Sequence, residues 1–282
     1  MREYKLKIVP EGEYKYLPEE AQTHIGLVGP FVLSAVKDDK AIGYVIFSRY
    51  MTEAQLRYVY IDPEERRKEI GSDLIYIARD ALANMGVKYI YARLEGEKSF
   101  VYNLGEFLEA NEFIPAVTDS VRVTYRISDY LNNAAIRKII SGIRIGKDIV
   151  KFSDPKDPGF RKICAKMNAS GYPINGTELD LSICRFIDGE KIRAFLIGEE
   201  TGDGINVNEL VCVDKAPDFF GTMILEVSLF EDLAGRVSPD TKYTILLKSF
   251  DAYVRRKDYL GEPLAVTFVQ EWYMNLTDRE KR

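Results

Sequence analysis

Residues Leu56–Ile75 read LRYVYIDPEERRKEIGSDLI, and the order of parts in this stretch decides the fold. A β-rich run, Leu56–Ile61, stops at Asp62-Pro63, and three consecutive cations, Arg66, Arg67 and Lys68, follow it. Apolar residues then recur at Ile70, Leu74, Ile77, Ala78 and Leu82, the spacing of one helix face. A strand that enters a helix through a short cationic turn, with Gly71-Ser72 at the helix start, brings together free N–H groups, small side chains and positive charge. That combination binds phosphate. The same letters also support a reading without a ligand. Asp62 as N-cap, Pro63 at the first helical position and Glu65 at the third form a helix-start signal. On that reading Arg66, Arg67 and Lys68 are only a solvated face.

Working outward, the first half of the chain alternates strands and helices. Phe31–Lys37 and Ala41–Arg49 are β-rich runs joined by Asp38-Asp39-Lys40, which reads as a hairpin. After the helix ending near Asn84-Met85-Gly86, strand character resumes over Val87–Leu94; a helix is expected over Phe100–Asn111 and a strand over Val121–Ile127. The second half repeats this order. Adding 150 carries Asp38 onto Asp188, Ile42 onto Ile192 and Ile70-Gly71-Ser72 onto Phe220-Gly221-Thr222. Adding 152 carries Tyr60-Ile61-Asp62 onto Cys212-Val213-Asp214, and adding 154 carries Val87-Lys88-Tyr89 onto Thr241-Lys242-Tyr243. Matches in order, with offsets that change only at loops, indicate a tandem duplication. A helix capped by Ser128 is expected over Ser128–Gly142 between the halves. Asp180, Asp188 and Gly189 read as turn and strand-edge residues, and Trp272, Tyr259 and Tyr273 as the last strands and core of the second half.

Composition narrows the chemistry. The chain has 282 residues with a formal net charge of −5 and no basic block, which argues against nucleic acid as a partner. No apolar run is long enough for a membrane span and the N-terminus lacks a signal-peptide core, so a cytoplasmic protein is expected. Cys164, Cys184 and Cys212 have no short metal spacing, so neither a disulfide framework nor a metal site is expected. With one histidine, His24, which could flank an acceptor pocket, reactions needing a His base or several His ligands are nearly excluded. What remains is chemistry run by backbone groups, carboxylates and tyrosines.

The Leu56–Ile75 stretch resembles the acyl-CoA-binding motif of GNAT-family N-acetyltransferases: a strand ending in V-x-P, then Arg/Gln-x-x-Gly-x-Gly/Ala, then a helix. Ile61-Asp62-Pro63 stands at the strand end, and Arg66, Arg67, Lys68, Glu69, Ile70 and Gly71 occupy the loop pattern, followed by Ser72. The order of elements fits that family over nearly all of residues 1–130, with a weaker version over roughly 150–282. The resemblance implies an α/β protein of two tandem GNAT-like domains, each a mixed twisted β-sheet flanked by helices, divided as 1–140 and 141–282. It implies acetyl-CoA (CoA) as cofactor, with the pyrophosphate on the backbone from Arg66 to Ser72 and the pantetheine arm along Val59, Tyr60 and Ile61. A backbone N–H there would polarise the thioester carbonyl while a small-molecule amine attacks it directly.

Departures from the family pattern bear on activity. Glu69 replaces the first loop glycine and puts negative charge where a pyrophosphate should lie. Gln55 stands where the family often has its general base, and Glu53, on the same strand face, is the nearest substitute. Leu108-Glu109-Ala110-Asn111-Glu112-Phe113 matches Y-x-x-x-G-F without the tyrosine or the glycine, leaving Tyr102, Tyr58 and Tyr60 as candidate proton donors to the thiolate. In the second half, Asp214–Gly221 is two residues shorter than Asp62–Gly71 and has no arginine, so that domain reads as non-catalytic. The alternatives are a non-catalytic relative that binds CoA or a protein, and a metabolite-binding protein.

Overall fold

The computed structural model describes residues 3–25, 29–141, 149–152, 158, 161–162, 165, 181–187, 191–212, 219–233 and 235–277. Cys164, Asp180, Asp188, Gly189 and the stretch 213–218 of the second-half loop lie outside the described residues. The chain forms two compact units, Met1–Thr118 together with Phe268–Arg282, and Asp119–Thr267. This division differs from a cut at residue 140, because each unit takes in a strand that chain order assigns to the other repeat.

In the first unit, β1 (Lys5–Ile8), β2 (Pro30–Lys37), β3 (Lys40–Tyr50) and β4 (Glu53–Ile61) are antiparallel neighbours, and β4 lies parallel to β5 (Tyr89–Gly96). Beside β5 comes the chain's last strand, β12 (Ala265–Asn275), paired antiparallel from Phe268↔Gly96 to Asn275↔Tyr89. The helices α2 (Ile70–Asn84) and α3 (Lys98–Ala110) make the connections on either side of β5. Their apolar stripes, including Leu74, Ala78, Leu82, Val101 and Leu108, pack with Leu33, Val45, Ala54, Leu56 and Ile90 from the sheet. Trp272 and Met274 of β12 belong to this core, so Trp272, expected in the second half's core, is buried in the first unit instead. The opposite sheet face carries a smaller cluster around Val32, Tyr44 and Ile46, covered by a 3-10 turn (Glu11–Tyr16) and the short helix α1 (Glu19–Gln22).

The second unit repeats that order. β7 (Ile149–Phe152), β8 (Leu181–Ile187), β9 (Lys191–Thr201) and β10 (Gly204–Cys212) are antiparallel neighbours, and β10 is parallel to β11 (Lys242–Leu247). The strand beside β11 is β6 (Ile114–Arg126), which ends the first repeat in chain order and pairs from Lys242↔Arg126 to Leu247↔Val121. The helix α6 (Phe219–Leu233) occupies the place of α2, and α7 (Phe250–Leu260) that of α3.

The helix expected over Ser128–Gly142 is two helices, α4 (Ile127–Leu131) and α5 (Ala134–Ser141), broken at Asn132-Asn133. Ser128 does not cap it. Asp129 reaches back to the Arg126 N–H at 2.8 Å, and Asn133 starts the second piece by accepting from the Ile136 N–H at 3.0 Å.

Whereas α2 keeps a polar outer face, α6 buries Met223, Ile224, Leu225, Val227, Leu229, Phe230 and Leu233, and with them Glu226. A buried carboxylate needs a counter-charge. Arg256 of α7 supplies it with two parallel bonds to Glu226, of 2.7 and 2.8 Å, and also donates to the Tyr130 hydroxyl. Burial is the largest influence on Arg256 and works to lower its pKa, but Glu226, Tyr130 and Tyr243 together hold it well above its ordinary value. Tyr130, Tyr243 and Phe230 close edge-to-face around the pair, with centroids 4.6 to 5.6 Å apart.

Candidate functional site: a parted strand pair and a helix start

The first unit holds most of the residues singled out by sequence. β4 and β5 pair only from Glu53↔Tyr89 to Leu56↔Ala92. β4 continues to Ile61 against β3, and β5 continues to Gly96 against β12, so from Arg57 onward the two strands present facing edges without a shared ladder. The cause is local. Ile46 pairs with Tyr58 and the next β3 residue, Phe47, pairs with Leu56, which leaves Arg57 as an extra residue in β4. Such a bulge bends its strand and interrupts pairing.

The bulge also changes which side chains share a face. Ala54, Leu56, Val59 and Ile61 all pack toward the core under α2, while Tyr58 and Tyr60 turn to the other face. There Tyr60 is the cross-strand partner of Tyr44, with ring centroids 5.2 Å apart at 24°. Tyr58 lies 6.0 Å from Tyr44, and the His24 ring stacks on Tyr58 at 4.4 Å and 16°. Burial, and after it a hydrogen bond to the Glu20 carboxylate, push the Tyr58 hydroxyl well above the usual phenol value. Burial and the nearby Tyr60 and Glu20 push Tyr44 up to about 12.

Beyond β4, Asp62–Gly71 divides into a capped turn and a separate helix start. Asp62 caps a 3-10 turn, Pro63–Glu65, by accepting from the Glu64 N–H at 3.1 Å. The turn then stops: Arg66 is extended, and Arg67 and Glu69 both enter the left-handed region, at φ 63° and 62°. α2 begins afresh at Ile70 with no side-chain cap from Glu69. Its first intrahelical bond is Asp73 N–H to the Glu69 carbonyl, 2.9 Å, so the N–H groups of Ile70, Gly71 and Ser72 precede the i→i−4 ladder. A Cβ on Gly71 would meet the Phe107 ring at 3.0 Å, so this glycine serves the packing of α3 on α2.

The loop cations are unequal. Arg66 donates from Nε to the Ile61 carbonyl at 3.1 Å, tying down the end of β4. Lys68 is held by Glu65 at 2.8 Å, and Lys37 by Glu3 and Glu65 at 3.0 and 3.6 Å. Among the described residues, no ion pair engages Arg67, which is exposed. A cleft of about 360 Å³ opens beside Ile70, lined by Lys37 and Lys68 but also by Glu3, Glu65, Glu69 and Asp73.

The remaining candidates scatter. Glu53 is exposed at the start of β4, between Tyr50 and Tyr89. At a strand rise of about 3.3 Å per residue it lies about 16 Å along the strand from Tyr58, so the structure does not bring these two together. Gln55 accepts from Arg57 Nη1 at 2.9 Å. Tyr102 is exposed on α3 with the Lys98 ammonium 5.5 Å above its ring. Leu108 is fully buried. Glu112, at the glycine position of Y-x-x-x-G-F, stands at φ 68° and closes α3 with bonds from the Glu112 N–H to Glu109 and from the Phe113 N–H to Leu108, 3.0 and 3.1 Å. Sequence reasoning missed Glu20, whose only signal was its place four residues before His24 in an acidic, Pro-led turn.

Comparison with known proteins bears on the fold. Residues 2–99 match the model of the acetyltransferase (GNAT) family. A GCN5-related N-acetyltransferase from Sphaerobacter thermophilus superposes on 97% of this chain and 96% of its own, with a TM-score of 0.54 at 11% identity. A GCN5-related glucosamine N-acetyltransferase region of a fungal multi-domain GH3 β-N-acetylglucosaminidase superposes with a TM-score of 0.61 at 10% identity, over 95% of this chain and 38% of that one. No curated protein matches the chain by sequence. Among the described residues, no helix is long and apolar enough to cross a membrane.

Proposed function

We propose, for a chain whose residues 2–99 match the GNAT acetyltransferase family model, acyl-CoA-dependent transfer of an acyl group, acetyl in the first instance, to the amine of a small cytoplasmic molecule. The observation that carries this reading is the parting of β4 from β5 at Arg57, next to a helix start without a side-chain cap. An extended amide-bearing chain adds to a free strand edge through backbone hydrogen bonds. Val59, Tyr60 and Ile61 offer such an edge to the pantetheine arm. The N–H groups of Ile70, Gly71 and Ser72 suit a pyrophosphate, and Arg67 adds an uncommitted cation. These residues fit CoA through backbone groups; the Glu69 side chain does not, and it must point outward when phosphate is present.

Acyl-CoA supplies an activated thioester, open to direct attack by an amine without a covalent enzyme intermediate. The chain's part is to hold and orient. The β4 edge fixes the direction of the acyl arm, and a β4 N–H near the bulge polarises the carbonyl. Tyr58 and Tyr60 stand beside that edge as proton donors, and burial raises the Tyr58 hydroxyl's pKa. With Glu53 remote from the parted strands, water accepts the amine's proton. The second unit is read as non-catalytic, a view supported by the burial of α6 around an internal ion pair.

One observation favours a second reading, in which the fold binds CoA or a partner protein without turnover. The cleft at the helix start carries four carboxylates against two lysines, and both lysines already have carboxylate partners.

Titrating CoA against the thermal midpoint tests the site, and acyl-CoA-dependent thiol release across an amine panel separates the two readings. The double variant Arg66→Ala, Arg67→Ala is expected to weaken CoA binding about tenfold, most of it from Arg67 because Arg66 is tied to Ile61. Unchanged affinity in the double variant would remove the phosphate assignment. Absence of any CoA-induced shift in the parent would remove the transfer reading and the CoA-binding form of the second reading, leaving only the partner protein.

A further inference from the structure

We propose that Glu3 and Tyr4 form an autoinhibitory strap beside the start of α2: Glu3 holds the Lys37 ammonium, and a phosphate of CoA must take that ammonium from it. The proposal rests on the CoA reading of the helix start. It adds to that reading a cation, Lys37, that lies outside the loop motif.

The strap is fixed at two points. The Tyr4 hydroxyl donates to the Asp73 carboxylate in the first turn of α2, and the Tyr4 side chain packs against the core that this helix covers. Glu3 pairs at 3.0 Å with Lys37, the last residue of β2, next to the place where β1 joins β2 at Lys5↔Val36. Lys37 also lies 3.6 Å from Glu65, and Glu65 holds Lys68 at 2.8 Å. Charges of alternating sign therefore run from the strap to the loop, and Glu3, Lys37, Glu65 and Lys68 all line the cleft of about 360 Å³ beside Ile70.

An exposed ion pair adds little to the stability of a fold. Here its place gives it a consequence for binding. Ile70, the first residue of α2, lines the same cleft, so a polyanion arriving at the helix start meets lysines that are already engaged. The members of the chain differ in freedom. Glu65 is only 17% exposed and closely bonded to Lys68, whereas Glu3 is 80% exposed and the Lys37–Glu65 link is the longest. The exchange therefore falls on Glu3 and Lys37. Glu3, and after it Glu65, hold the Lys37 pKa above its ordinary value, so the side chain stays an ammonium. A phosphate carries more charge than a carboxylate and has more acceptor oxygens, which lets it take Lys37 while Glu3 turns to water. The strap thus sets how tightly the site binds without touching the reacting atoms.

The test is a double-mutant cycle on CoA affinity, read by calorimetry on the full chain at low salt. Glu3→Gln, an exposed isosteric change, should tighten CoA about fivefold by freeing Lys37. In a Lys37→Gln background the same change should alter affinity by less than about twofold, because no ammonium is left to free. An equal gain in both backgrounds would show that Glu3 merely repels the ligand, and would overturn the strap. So would a Glu3→Gln affinity within about twofold of the parent when Lys37 is present. The outcomes keep the two ideas apart. CoA binding by the parent with an additive cycle removes the strap alone, whereas no CoA binding by parent or Glu3→Gln removes the strap together with the CoA reading it rests on.

Discussion

Glu226→Ala is expected to lower the unfolding free energy of the second unit by about 3–5 kcal/mol, the loss typical when one member of a buried pair is removed. The guanidinium of Arg256 would remain, 3% exposed, with a single hydroxyl partner in Tyr130 and an Nε that has no hydrogen bond even in the parent. Coulomb attraction across two bonds of 2.7 and 2.8 Å now offsets its desolvation, in a core closed by Tyr130, Phe230 and Tyr243. Tyr130→Phe removes only the hydroxyl contact and should cost about 1–2 kcal/mol. Glu226→Leu with Arg256→Met removes both charges at similar volume and should recover most of the loss. The readout is the urea midpoint by far-UV CD with the slope unchanged. A midpoint in Glu226→Ala equal to the parent's would show that the pair does not hold α6 to α7.

This pair also shows where sequence reasoning ends. Glu226 and Arg256 are 30 residues apart, and neither sits in a motif; only the unbroken burial of α6 from Met223 to Phe230 makes them necessary to each other. The alternation of elements was legible because apolar periodicity switches cleanly at Asp62-Pro63 and at Met85-Gly86. The duplication was legible because its offsets change only in loops. The exchange of last strands was not, since β6 and β12 have the same alternating pattern and pattern alone does not choose a neighbour. The bulge at Arg57 carries no glycine or proline to mark it, yet it explains why Leu56 and Tyr58 face opposite ways. In the sequence Gly71 reads as room for a ligand, and the structure gives that room to Phe107. At Leu108 and Glu112 the missing tyrosine and glycine were plain in the sequence. Their consequences, a core leucine and a glutamate held in a left-handed helix cap, are structural.

Glu69→Gly is expected to tighten CoA binding about tenfold while leaving stability nearly unchanged. A non-glycine residue in the left-handed region costs about 1–2 kcal/mol, and Glu69 stands at φ 62°. Glycine relieves that strain but gives back about 0.5–1 kcal/mol through the greater freedom of the unfolded chain. It also forfeits a carboxylate near the positive end of α2, a favourable interaction of about 0.3–1 kcal/mol. These terms nearly cancel in the free protein. They do not cancel in the complex, where a bound pyrophosphate repels the carboxylate at the same N–H groups. Removing one charge at about 6–7 Å with partial solvent screening is worth about 1–2 kcal/mol, or roughly tenfold. Glu69→Gln separates the two contributions, because it removes the charge and keeps the strain: its CoA affinity should follow Glu69→Gly, and its stability should not exceed the parent's. Raised salt should narrow the gap between parent and variants, since exposed charges at this range are screened. Equal CoA affinity for parent, Glu69→Gln and Glu69→Gly at low salt would mean that the pyrophosphate does not lie at the start of α2.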